Sequence, residues 1–130
     1  MALHSSRMAA MSTEPDVQEQ PEVVVPFASI PESRGLVVHV HDRLRVALFR
    51  VGDEVYAIDD VCPHQSASLG RGRIRGCVVA CPSHGFLVDV TTGVCPTNEL
   101  QRVRSFPTQR EGDMVRVIVP PRPRRPRPAP

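Results

Sequence analysis

Four side chains constrain this chain more than anything else in it. They come as Cys62-Pro63-His64, then sixteen residues, then Cys81-Pro82-Ser83-His84-Gly85. Two soft thiolates and two imidazoles make a ligand set suited to zinc or to an iron-sulfur cluster. Zinc sites built from cysteine and histidine usually draw ligands from a tight C-x2-C turn. Here only Pro63 separates Cys62 from His64. Each loop offers one cysteine and one histidine, which is the division a [2Fe-2S] cluster needs if one iron takes both sulfurs and the other both imidazoles. The rival is a zinc-stabilised β-domain that only binds proteins. A spectrum separates the two, because a zinc protein is colourless.

The pattern C-P-H-x16-C-P-x-H-G resembles the Rieske ferredoxins. The resemblance implies one [2Fe-2S] cluster per chain, with Cys62 and Cys81 on one iron and His64 and His84 on the other, electron-accepting one. Neutral imidazoles in place of two thiolates leave the cluster less negative and easier to reduce. It also implies an all-β fold, a small antiparallel sandwich or barrel with the cluster-binding loops at one end. The implied role is that of a one-electron carrier from a flavin-dependent reductase to a terminal oxygenase, with electrons passing through the edges of His64 and His84. The small Rieske-like subunit of an assimilatory nitrite reductase is the second reading.

The same resemblance assigns further positions. Leu69 stands where relatives shield the cluster, Gly72 matches a turn glycine, and Pro96 falls in the place of a loop that covers the cluster. Ser66 stands where relatives often have glycine. High-potential Rieske proteins brace the two loops with a disulfide and aim hydroxyls at the cluster. In those places this chain has Ala67 and Ser83, and Phe86 and Val88. Fewer donors stabilise the reduced cluster less, so the expected potential lies low in the family range, on the order of −150 mV.

The chain has 130 residues, enough for one modest core. All sixteen of its basic residues are arginine, and the net charge of +2 is too small to argue for nucleic acid. No stretch is apolar for long enough to span a bilayer, and the N-terminus lacks the apolar run of a secretion signal. The expected location is the cytoplasm, where thiols stay reduced and Cys77 and Cys95 stay unbridged. No nucleophile with its base, phosphate-cradling loop or dinucleotide fingerprint appears, so the chain reads as an electron-transfer component rather than an enzyme.

Residues 1–21 are polar and without periodicity, and are expected to be disordered. Met8 or Met11 could equally start the chain, which sets His4 aside. The domain is expected over 22–119, beginning with a strand at Val23. Residues 36–41 alternate, which predicts a strand with His39 and His41 sharing an exposed polar face. Residues 45–51 and 54–58 flank Gly52-Asp53, the signature of a two-residue hairpin. Residues 73–80 predict a second hairpin turning near Gly76, with Cys77 as a small buried apolar residue. Thr92-Gly93 marks a turn. Strands over 100–106 and 114–119, joined across 111–113, are expected to close the domain. The Pro/Arg-rich tail, 120–130, can form neither helix nor ladder and is expected to be extended.

Overall fold

Leu44–Val51 and Glu54–Asp59 form the hairpin at the middle of the molecule. The computed structural model describes residues 22–62, 67–83 and 85–120. The segment 1–21, expected to be disordered, and all of the tail 120–130 except Pro120 lie outside the described residues, as do 63–66 and 84.

In chain order the strands are β1 (Val23–Pro26), β2 (Leu36–His41), β3 (Leu44–Val51), β4 (Glu54–Asp59), β5 (Arg73–Arg75) and β6 (Val78–Ala80). They continue with β7 (Leu87–Asp89), β8 (Val94–Cys95), β9 (Asn98–Arg102), β10 (Ser105–Phe106), β11 (Thr108–Glu111) and β12 (Met114–Val117). Every named pairing is antiparallel. The sheets run β1-β12-β11, β10-β4-β3-β2, β5-β6-β7 and β8-β9. Among the described residues no α-helix occurs, and no helix is long and apolar enough to cross a membrane. The all-β antiparallel expectation holds.

The four-stranded sheet is buried on both sides, which explains the nearly unbroken apolar run of β3. Successive side chains of a strand point to opposite faces. Accordingly Leu44, Val46 and Leu48 join Val55 and Ala57 in one core with Val115 and Val117 of β12. Ala47, Phe49 and Ile58 join a second core with Ile74, Val79 and Val88 of the β5-β6-β7 sheet. Cys62 and Cys81 belong to this second core. The hairpin turns at Gly52-Asp53 as expected, with Val51 opposite Glu54 and Gly52 at φ +64°, a conformation glycine adopts without strain.

The structure corrects four expectations. A bulge between His39 and His41 breaks the alternation of β2. His39 is exposed, but His41 is half-buried and its Nδ1 accepts the Arg43 N–H at 3.1 Å. Residues 100–106 are not one strand: the chain breaks after Arg102, and β10 leaves to pair with β4. β11 is an additional strand, polar in sequence because it forms one edge of its sheet. Cys77 lies in the β5–β6 turn and is half-buried, not a strand residue in the core.

Removing a ring from the second core has a predictable cost. Phe49→Ala should lower the free energy of unfolding by about 3–5 kcal/mol in urea titrations. Leu100, 91% exposed on β9, should tolerate the same change within about 0.5 kcal/mol.

Candidate metal centre

β4 delivers the first loop. After Asp59 the chain runs through Asp60 and Val61 to Cys62 and returns through Ala67, Ser68 and a short 3-10 turn at Leu69–Arg71. The two limbs are laced together. Cys62 N–H donates to the Ala67 carbonyl at 2.9 Å, Val61 and Ser68 form an antiparallel bridge, and Leu69 N–H donates to the Asp60 carbonyl at 2.7 Å.

Inside this ladder lies the carboxylate of Asp60, 0% exposed. A buried charge is tolerated only when paired and hydrogen-bonded. Asp60 accepts from Arg45 Nε at 2.9 Å, from the Ser68 hydroxyl at 2.9 Å and from Gly70 N–H at 2.7 Å. Gly70 has to be small: a Cβ there would press on the Val37 side chain and stand 3.0 Å from Asp60 Oδ1. The adjacent acid is different. Asp59 sits near the surface and pairs with Arg104 at 3.2 Å.

The second loop is the tip of the β6–β7 hairpin. Cys81 N–H donates to the Phe86 carbonyl at 2.7 Å, and Gly85 N–H donates back to the Cys81 carbonyl at 2.9 Å. Gly85 turns at φ +75°, in the left-handed region. Gly72 fits this hairpin against the first loop, since a Cβ there would collide with the Ala80 carbonyl.

The two loops converge. Cys62 and Cys81 are each 2% exposed, and both lie in the second core beside Leu69, which is fully buried. Ala67 and Ser68 of the first loop and Pro82 and Ser83 of the second line one cleft of about 570 Å³. Of the four candidate ligands, Cys62 and Cys81 are therefore brought together, while His64 and His84 lie outside the described residues, as does Ser66. Val88 is wholly buried and Phe86 packs against the same core, and neither carries a hydroxyl. Pro96, expected to cover the cluster, is exposed at the β8–β9 turn. His39 lines the cleft, but among the described residues no three His, Cys, Asp or Glu side chains gather as a metal site.

The other two thiols differ. Burial pushes the Cys77 thiol pKa up, and the charge of Asp89 and a hydrogen bond to it push further. Burial also works to raise Cys95, yet hydrogen bonds from the Thr97 side chain and the Thr97 and Asn98 backbone outweigh it and hold that thiol below its ordinary value.

The model of the Rieske-like [2Fe-2S] domain matches residues 22–118. The chain belongs to this family. A naphthalene 1,2-dioxygenase system ferredoxin component of Pseudomonas aeruginosa is 34% identical over 72% of this chain and 89% of its own. Ferredoxin CarAc of Metapseudomonas resinovorans is 47% identical over a shorter stretch, 38% of this chain and 46% of its own length. This chain thus matches about half the length of that relative. The Sphingomonas yanoikuyae B1 ferredoxin structure superposes with a TM-score of 0.67 at 25% identity, covering 80% of this chain and all of the other. A nitrite reductase small subunit from Mycobacterium tuberculosis, described as putative and NADH-dependent, superposes at 0.65 with 26% identity over 78% of this chain and 96% of its own.

The Rieske family cofactor is a [2Fe-2S] cluster, and the residues present suit it. Two reduced cysteines stand at the starts of adjoining loops in a dry apolar shell, ready to serve as thiolate ligands.

Two consequences can be measured. Asp60→Ala strands the Arg45 guanidinium, the Ser68 hydroxyl and the Gly70 amide. Because Arg45 keeps access to water, the loss should be about 2–3 kcal/mol in urea unfolding. At mildly alkaline pH Cys77 should react with iodoacetamide more slowly than a free cysteine, since a raised pKa leaves less thiolate. Asp89→Asn should speed that reaction, as read by peptide mass mapping.

Proposed function

We propose that this chain is a one-electron carrier whose [2Fe-2S] cluster is held by Cys62 and Cys81 on one iron and His64 and His84 on the other. It takes an electron from a flavin-dependent reductase and passes it to a terminal oxygenase. The observation that carries the reading is the convergence of the two loops, with both cysteines in one core and the flanks of both loops on one cleft. The naming of relatives as ferredoxin components of dioxygenase systems supports the same role.

The bound cluster supplies reversible one-electron chemistry. The protein's own residues set its access and its energy. Leu69, Val79 and Val88 keep water from the cysteine side, while the Asp60 network ties the first loop to the central sheet. Phe86 and Val88 offer no hydroxyl, so the reduced state gains little from side-chain hydrogen bonds. The domain of this reading spans 22–119, and the location it implies is the cytoplasm, where cysteines stay reduced and available as ligands.

The second reading is the small subunit of a nitrite reductase, favoured by the neighbour of that description. A stable stoichiometric complex with a large catalytic chain on purification would select it.

Purified protein should contain iron and inorganic sulfide in equal amounts, absorb in the visible and give a paramagnetic signal when reduced. Cys62→Ser and Cys81→Ser should each abolish that spectrum, and Cys95→Ser should leave it. A redox titration should give a midpoint on the order of −150 mV. Zinc without sulfide would overturn the carrier, and a midpoint well above zero would overturn the account of its potential.

A further inference from the structure

The stretch 61–88, which holds both ligand loops and the β5–β6 hairpin between them, contains Arg71, Arg73 and Arg75 and not one Asp or Glu. Arg73 and Arg75 flank buried Ile74 on β5 and share its outward face. Arg34, far away in sequence, forms an antiparallel bridge with Arg73. All four arginines are exposed, and among the described residues none makes a side-chain hydrogen bond or ion pair.

Of the other described arginines only Arg43, in the β2–β3 turn, shares that state. Arg45, Arg50, Arg104 and Arg116 are each paired with a carboxylate. Glu32, the only acid between Val23 and His41, is paired with Arg50 at 3.2 Å. Like charges opposite each other on neighbouring strands repel, so the Arg34–Arg73 pairing weakens the fold where it stands. A local rule broken without internal compensation is expected at a surface whose compensation comes from outside.

The position of the patch indicates what that compensation is. Arg71 lines the same cleft as Ala67, Ser68, Pro82 and Ser83, so the arginines begin at the ligand loops and run along β5. We propose that Arg34, Arg71, Arg73 and Arg75 are the docking surface for an acidic face of a redox partner protein, which they hold against the cleft between the two loops. The inference rests on the carrier reading above. Charges at the rim of such a contact act chiefly on the rate of encounter and on which partner is accepted, and salt screens them. Arginine also suits carboxylates geometrically, through its planar two-pronged donor set.

The test uses the full chain with its cluster and three probes. Oxidised flavodoxin serves as an acidic redox protein and should bind by interferometry with an affinity that falls as salt rises. R71E/R73E/R75E should weaken that binding about tenfold or more. In stopped flow, the reduced protein gives one electron to hexacyanoferrate(III), forming hexacyanoferrate(II). The variant should slow this step about tenfold and leave oxidation by cationic tris(phenanthroline)cobalt(III) unchanged or faster. An unchanged visible spectrum shows that the variant is folded, and R71Q/R73Q/R75Q should give an intermediate effect. If the variant alters neither flavodoxin binding nor the hexacyanoferrate rate by more than about twofold, the patch is not a docking surface. Equally tight binding of the native chain to phosphatidylserine vesicles would assign it to a membrane and overturn the proposal. Flavodoxin binding can be measured whatever metal is present, so zinc in the site would sink the carrier reading without deciding the patch.

Discussion

The carboxylate of Asp60 ties together more of this structure than any other group. It lies just before the loop that Cys62 opens and is wholly buried, a state that costs several kcal/mol for an unpaired charge. It persists because three donors from three places meet it: a guanidinium from β3, a hydroxyl from the returning limb of the loop and an amide from the turn beyond. Its own backbone N–H donates to Arg45 and its carbonyl accepts from Leu69. One residue thus locks the loop to the central sheet and to itself. The loop can close only with that sheet in place.

The two loops reach the same place by different physics. The first is fixed by charge and hydrogen bonds, the second by a short hairpin with an apolar interior and a glycine turn. The hairpin β5–β6 joins them, and the close passage of Gly72 over Ala80 sets their separation. An apolar core on the inner side and a polar cleft on the outer side follow from the central sheet having two covered faces. The thiol donors belong to the dry side, where a low dielectric makes the electrostatics of a bound group more sensitive to its neighbours.

Much of this was readable in the residues. The Gly52-Asp53 hairpin and the turn at Gly76 announced themselves because glycines have few alternative uses. Of the Cys and His pairs, the described residues hold the two cysteines, in one core. What escaped was decided by tertiary context. Asp59 and Asp60 look alike in sequence, and only the alternation beyond β4 sends one to solvent and the other inward. β11, reading Thr-Gln-Arg-Glu, has no apolar face because it lies at a sheet edge, so no periodicity marks it. Cys77 looked like a core residue, yet the turn it helps to form leaves it partly exposed. The small hairpin that Val94 and Cys95 begin, with Pro96 at its turn, has no periodicity to mark it in so short a stretch.

The bulge in β2 has its own outcome. β2 is the outer strand of the four-stranded sheet, and an open edge of that kind offers unpaired amides and carbonyls to any extended peptide. The shift in register between His39 and His41 bends that row, so a foreign strand could not match it along its whole length. Self-association by strand addition is disfavoured on this flank, leaving side-chain contacts as the means by which other proteins meet it.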